Sequence, residues 1–176
     1  MYLGLVLTAT IVGTCQAVVS TKTPFVPDFH TGVPAGPGSH FAIFPGTKWC
    51  GADNIASSYE DLGVHNETDA CCRTHDHCPY YIDRWQNRYH LSNPYPWTVS
   101  HCNCDTGLYN CLKNVSSDAA SEVGKLFFGL LDVHCFKFEY GQYCAKHSLG
   151  GLVCEQKATG LKGVSTKFPH TWSVLG

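Results

Sequence analysis

Residues Asp69–Cys78 read DACCRTHDHC and set the dipeptide His75-Asp76 between a cysteine pair and a third cysteine. Cys78 follows Cys71 by seven positions, which is close to two turns of an α-helix. Both sulfurs would therefore lie on one helix face, about 10 Å apart. The stretch predicts a helix that disulfides attach to a neighbouring element along this face.

The same seven-residue interval recurs between Cys104 and Cys111, so a second helix is expected to carry a matching pair. Two such helices can be joined face to face by two disulfides. In an antiparallel arrangement the first cysteine of each helix bonds the last cysteine of the other, and in a parallel arrangement the first bonds the first. The spacing leaves both open. The antiparallel arrangement puts Asp105 about 3 Å along the axis from His75, within reach of a side-chain hydrogen bond.

A histidine held between two crosslinked helices has a fixed ring orientation. If Asp105 accepts a hydrogen bond from one ring nitrogen, the other nitrogen of His75 is free to act as a general base. Asp76 projects about 100° away around the helix axis and is available for a hard cation. The alternative is an incidental surface dipeptide, and these residues alone do not decide between the two.

Oxygen donors for such a cation are expected in an irregular loop, and Gly46–Asn54, GTKWCGADN, is a candidate. Cys50 can attach this loop to the first helix, and Gly51 allows the backbone to turn its carbonyls inward, as calcium prefers. An ordinary turn beside a disulfide is the alternative. Zinc is disfavoured because the adjacent cysteines Cys71 and Cys72 fit no common zinc spacing.

The composition indicates export. The chain has 176 residues, 11 of them cysteine. Residues 1–17 carry no charged side chain and an apolar run too short to span a bilayer, which predicts a signal peptide, with a hydrophobic first strand as the alternative. Its removal takes Cys15 away and leaves an even set of cysteines, typical of disulfide-bonded proteins secreted to the extracellular space. Sequons at Asn66 and Asn114 predict glycosylation.

The remainder of the chain divides into three parts. Residues 18–40 are rich in proline and glycine and predict an extended arm or propeptide. Residues 41–154 form a cysteine-rich body. Residues 155–176 contain no cysteine and show no clear hydrophobic periodicity, which predicts a loose C-terminal tail. A formal charge of −2 without a basic stripe argues against nucleic acid as a partner.

Apolar periodicity predicts three helices in the body, and alternation predicts one short strand. The helices are expected over about 68–82, 104–115 and 118–132, and the strand over 135–140. Thr68 or Asp69 is expected to cap the first helix. Between the first two helices, a segment rich in aromatic residues, proline and asparagine predicts a long exposed loop. A serine hydrolase is disfavoured because the chain has no G-x-S-x-G motif.

Four ordered motifs, FPGTKWCG, TDACCRTHDHC, HCNCD and CLKN, closely resemble the group III secreted phospholipases A2, the bee-venom type. The resemblance covers about residues 41–144 and includes a matching third helix, VGKLFF. It implies a mainly α, disulfide-rich fold with two antiparallel disulfide-linked helices, a third helix, a calcium-binding loop and a short β-hairpin. The implied activity is calcium-dependent hydrolysis of the sn-2 ester of glycerophospholipids at a lipid interface.

The resemblance also implies a role for each site residue. His75 would activate a water molecule, Asp105 would orient His75, and the Gly51 amide would help to stabilise the oxyanion. One calcium ion would be held by one carboxylate and three main-chain carbonyls: Asp76, then Trp49, Gly51 and Asp53. The implied disulfides are Cys50–Cys72, Cys71–Cys111, Cys78–Cys104, Cys102–Cys135 and Cys144–Cys154.

Two positions depart from the bee-venom pattern, which has glycine where this chain has Asp53 and tyrosine where it has Phe127. The main-chain donor at Asp53 is expected to survive, because aspartate tolerates left-handed backbone better than most residues. Phe127 lacks a hydroxyl contact, so some loss of rate or affinity is expected. A single protein carboxylate on calcium predicts a dissociation constant of roughly 0.1–1 mM.

An enzyme acting on aggregated lipid must dock peripherally on a membrane or micelle surface, and we expect a monomer that prefers zwitterionic phospholipid. The expected docking residues are Ile43, Phe44, Tyr80, Tyr81, Trp85 and Trp97. Core packing is the alternative for the first two. One alternative function is a catalytically silent toxin-like or receptor-binding protein on the same scaffold. Another is a disulfide-rich structural or growth-factor-like domain in which the His-Asp pair is incidental.

Overall fold

The computed structural model describes residues 43–131 and 133–173. The predicted signal peptide and the proline- and glycine-rich arm lie outside these residues. The elements in chain order are α1 (Asn66–Asp76), β1 (Tyr81–Ile82), β2 (Asn87–Arg88), β3 (Leu91–Ser92), β4 (Val99–Ser100), α2 (Cys102–Val115), α3 (Asp118–Gly124), a π-helical turn (Lys125–Leu130), β5 (His134–Ser148), a 3-10 turn (Leu149–Gly151) and β6 (Val153–Lys167). None of the helices in the described part combines the length and apolarity that a membrane crossing requires.

Five disulfides crosslink the fold, and they are the pairs that the family resemblance implies. They join Cys50–Cys72, Cys71–Cys111, Cys78–Cys104, Cys102–Cys135 and Cys144–Cys154. Two of them join the α1 region to α2 in the antiparallel sense, with Cα atoms 5.7 and 5.9 Å apart. A disulfide-rich, mainly helical fold is therefore confirmed.

Helix α1 differs from its predicted limits at both ends. It begins at Asn66 after His65, and no side chain caps it, so the expected cap at Thr68 or Asp69 is wrong. It ends at Asp76 rather than near Ile82. Pro79 explains the early end, because proline lacks the amide hydrogen that a helix needs and disfavours helical backbone at the preceding residue.

The third helix is shorter and less regular than predicted. Its α-helical part ends at Gly124 and continues as the π-helical turn. At Gly124 the backbone approaches the Trp172 ring so closely that a Cβ atom would lie 2.5 Å from it. Trp172 and Phe168 are buried in the main hydrophobic core with Phe128. The C-terminal segment therefore covers the third helix.

The predicted hairpin is present but much longer than expected, and it includes residues that were predicted to form a loose tail. Strands β5 and β6 each span 15 residues and pair antiparallel, from His134 opposite Lys167 to Ser148 opposite Val153. Most side chains of β6 are exposed, so the strand has little of the apolar alternation by which strands are recognised. Backbone pairing with β5, rather than burial, holds it in place.

The segment predicted as a long loop contains two short antiparallel strand pairs, β1 with β4 and β2 with β3. Buried Asn93 organises it, since its side-chain amide donates to the carbonyls of Ile82, Asp83 and Trp97 at 2.8–3.0 Å. A small second core of Ile82, Val99 and Phe136 attaches this segment to the base of the hairpin.

Candidate active site

The His75 ring and the Asp105 carboxylate form the centre of the site. His75 Nε2 and Asp105 Oδ1 are 2.7 Å apart. The side chains are 12% and 2% exposed, respectively. Burial raises the pKa of Asp105, and the hydrogen bond from His75 opposes that rise. With Nε2 occupied by Asp105, Nδ1 is the ring nitrogen available to accept a proton.

The helix crosslinks set this distance. Asp105 directly follows Cys104 in the first turn of α2, and His75 precedes Cys78 by three positions. The disulfide between Cys78 and Cys104 therefore fixes the axial register of the His75 and Asp105 side chains. His101 caps α2, its Nδ1 accepting from the Asn103 amide at 3.2 Å, which fixes where the helix begins.

The π-helical turn places an aromatic ring, that of Phe127, against His75. The Phe127 ring meets the His75 ring edge to face, with centroids 5.3 Å apart, and Phe127 packs on Phe128 at 4.9 Å. Phe128 is buried in the main core, so the contact to His75 is supported from behind. A π-helical turn is rare and frequent at functional sites.

Asp69 anchors the predicted calcium loop to α1. Its fully buried carboxylate accepts from the amides of Lys48, Trp49 and Gly63 at 2.8–3.0 Å. The Cys50–Cys72 disulfide makes a second connection between loop and helix. From the sequence, Asp69 was expected only to cap the helix. An acidic residue in the first turn of a helix, close to a cysteine pair, was the available signal, but nothing in the sequence identifies the distant amides.

Within the loop, the Gly51 amide donates to the Trp49 carbonyl at 3.1 Å. The Trp49 carbonyl, a predicted metal ligand, and the Gly51 amide, a predicted oxyanion donor, are therefore hydrogen-bonded to each other. Asp53 has φ 110°, a conformation that favours glycine. This is the position at which the bee-venom pattern has glycine, and the backbone keeps a glycine-like turn despite the aspartate.

Asp76 is open to solvent but closely surrounded by protein atoms. Desolvation by these neighbouring atoms, followed by the charges of Asp53 and Asp69, raises the pKa of Asp76 to about 8. No three His, Cys, Asp or Glu side chains among residues 43–131 and 133–173 form a metal cluster. A carboxylate whose pKa is raised by desolvation and by two neighbouring acidic groups nevertheless fits a calcium site completed by main-chain oxygens.

A comparison with known families matches residues 43–139 to the phospholipase A2 family model. The chain belongs to the phospholipase A2 family. It is of the group III, bee-venom type, and the family identifies it as a hydrolase of phospholipids.

Curated relatives of this phospholipase come from lizards and bees. It is 44% identical over 102 residues to phospholipase A2 isozymes of Heloderma suspectum, covering 58% of this chain and 71% of the relative. A phospholipase A2 of Bombus pensylvanicus is 46% identical over 100 residues, with 56% and 73% covered, and that of Apis mellifera is 45% identical over 100 residues, with 56% and 59% covered. The family match ends in β5, so most of the hairpin of this phospholipase lies beyond it.

The residues predicted to dock on lipid differ in how far they are exposed to solvent. Trp85 and Tyr80 are exposed, whereas the other expected docking residues are half-buried: Ile43, Phe44, Tyr81 and Trp97. Phe44 packs against the main core. The predicted glycosylation sites, Asn66 and Asn114, are both exposed.

Proposed function

We propose that this phospholipase hydrolyses the sn-2 ester of glycerophospholipids in aggregated lipid, with calcium, in the extracellular space. The observation that carries the proposal is the 2.7 Å contact between His75 Nε2 and Asp105 Oδ1, which leaves Nδ1 to act as the base. Five disulfides support an oxidising, extracellular location.

In the proposed reaction, His75 Nδ1 takes a proton from a water molecule as that water attacks the ester carbonyl carbon. Asp105 stabilises the imidazolium through Nε2. When the tetrahedral intermediate collapses, the carbon–oxygen bond to glycerol breaks and the imidazolium returns its proton to the departing oxygen. The products are a fatty acid and a lysophospholipid, and His75 is again neutral.

The residues of the loop fit a calcium ion, with Asp76 as the carboxylate ligand and Trp49, Gly51 and Asp53 as carbonyl ligands. When bound, calcium would neutralise the substrate phosphate and the charge that develops on the ester oxygen. The Gly51 amide would donate to the same ester oxygen. The donor role of Gly51 requires its 3.1 Å hydrogen bond to the Trp49 carbonyl to open, whereas that carbonyl oxygen has a second lone pair for the ion.

The test is hydrolysis of vesicles that carry a labelled fatty acid at either the sn-1 or the sn-2 position. We expect release of the sn-2 label with calcium and none with a chelator. Release of the sn-1 label would contradict the positional assignment, and chelator-resistant release would contradict the calcium requirement. No release from either position would favour a catalytically silent binding protein.

Asp53→Gly is expected to stabilise the calcium-free protein by about 1 kcal/mol, because it relieves a backbone conformation that costs an L-residue roughly that much. It also removes a charge that raises the pKa of Asp76. We expect calcium affinity to fall about threefold, since a nearby carboxylate charge is lost. Denaturant unfolding without calcium and calorimetric calcium titration measure the two effects.

The pH dependence of stability separates the effect of backbone strain at Asp53 from the effect of its charge. Folded calcium-free protein keeps the Asp76 proton up to about pH 8, whereas the unfolded chain releases it near pH 4, so stability falls as pH rises between these values. Asp53→Gly should weaken this fall. The control Asp53→Asn removes the charge but keeps the side chain, so it should share the weaker pH dependence without the full gain in stability. Equal stability of the two variants would show that backbone strain contributes nothing.

A further inference from the structure

The far end of the β5–β6 hairpin projects beyond the body of the protein. Its outermost ring contact with the body is the stacking of Tyr143 on His90, with centroids 3.6 Å apart. Beyond that point the pairing continues to Ser148 opposite Val153. At about 3.3 Å per residue, five further residues of each strand extend roughly 16 Å outward.

The end of the hairpin, residues 144–157, is held together by its own contacts. The Cys144–Cys154 disulfide crosses it, and Lys146 pairs with Glu155 at 2.8 Å. None of the described residues beyond Phe138 on β5, or on β6, belongs to either hydrophobic core. The hairpin end is therefore braced internally and does not depend on packing against the rest of the fold.

The tip of this braced end is apolar and exposed. Leu149, Leu152 and Val153 are 74%, 88% and 45% exposed, and Gly150 and Gly151 have open space around them. Leu149 has φ 49°, a left-handed conformation that is costly for leucine. Among the described residues, Leu149 and Leu152 belong to neither hydrophobic core, and a cluster of exposed apolar side chains marks a site of interaction.

We propose that this tip, Leu149–Val153, anchors the phospholipase in the lipid surface that carries its substrate. The inference rests on the proposed function, because that function makes phospholipid the surface to which the protein binds. The tip would insert Leu149 and Leu152 among the acyl chains while Lys146 and Lys157, exposed behind them, remain level with the phosphates.

Charge and size favour lipid over a second copy of the chain. The hairpin, residues 134–167, contains five lysines and two glutamates, although the whole chain has a formal charge of −2. Basic hairpins repel one another but are attracted to lipid phosphates. A stable protein dimer buries about 800 Å² on each partner, which three side chains at a narrow tip do not provide. A deformable lipid surface can accept a narrow convex tip.

The experiment is sedimentation of the full-length secreted protein with phosphatidylcholine vesicles in the presence of a chelator. The variant combines Leu149→Ser with Leu152→Ser, and the matched control is Leu161→Ser, a leucine that is 60% exposed on the same hairpin away from the tip. We expect the double variant to lower the vesicle partition coefficient roughly 30-fold or more, and the control to change it little. Hydrolysis of a monomeric short-chain phospholipid should be unchanged.

Unchanged partition in the double variant would overturn the proposal, as would an equal loss in the Leu161→Ser control. If the parent is a dimer that the double variant breaks without changing partition, the tip instead binds a second copy. Loss of monomeric hydrolysis in the double variant would place the effect at the active site and also overturn it. Because partition is measured without turnover, it stays decisive even if the chain hydrolyses no phospholipid.

Discussion

His75→Gln is expected to lower kcat for phospholipid hydrolysis by about 10³-fold, since general base catalysis contributes 10²–10⁴-fold in enzymes. Glutamine can still donate to the Asp105 carboxylate, so the buried acid keeps a partner and the fold should persist. It has no atom that accepts a proton from water at neutral pH. The measurement is initial velocity on calcium-saturated vesicles at several substrate concentrations, with calcium affinity determined separately.

Two further variants test whether the loss of activity in His75→Gln is specific to the base. Asp105→Asn removes the charge that stabilises the imidazolium but leaves the imidazole, and a loss of about 10²-fold is expected. His77→Gln changes an exposed histidine at the end of the same helix and should alter kcat less than about threefold. If His75→Gln retained activity, or lost calcium binding together with activity, the assignment of His75 as the base would be wrong.

The proximity of His75 and Asp105, the candidate catalytic pair, could be predicted from the sequence because local regularities fix it. Matching cysteine intervals on two helices leave few registers, and in the antiparallel register His75 lies near Asp105. The observed distance of 2.7 Å agrees with that expectation. The register follows from helix geometry and from crosslinks close to both side chains, so distant parts of the chain contribute little to it.

The hairpin and the loop anchor could not be predicted in this way. Strand β6 has few buried side chains, so the backbone pairing that holds it leaves almost no trace in the pattern of residue types. Asp69 makes its hydrogen bonds to amides at positions 48, 49 and 63, and any residue type except proline provides such a donor. Interactions through the backbone of distant segments leave no signal in one sequence.

Asp69→Asn is expected to destabilise the calcium-free protein by about 3–5 kcal/mol. The carboxylate satisfies three buried or half-buried amides with its two oxygens. An amide side chain has one oxygen, and its NH₂ group would face a backbone N–H. Hydrogen bonds to a charged group contribute about 1.5–3 kcal/mol each, and an unpaired buried donor costs about 1–3 kcal/mol.

Asp61→Asn is the matched control, because Asp61 also holds the loop, through the Lys48 ammonium and the backbone and side chain of Ser57. These contacts hold the pKa of Asp61 at about 2, but the ion pair is accessible to solvent and should contribute far less stability. Urea unfolding of both variants, with and without calcium, measures the difference. Equal losses would show that Asp69 is one support among several. A much larger loss at Asp69, accompanied by weaker calcium binding, would show that the loop keeps its shape because one buried carboxylate holds its backbone.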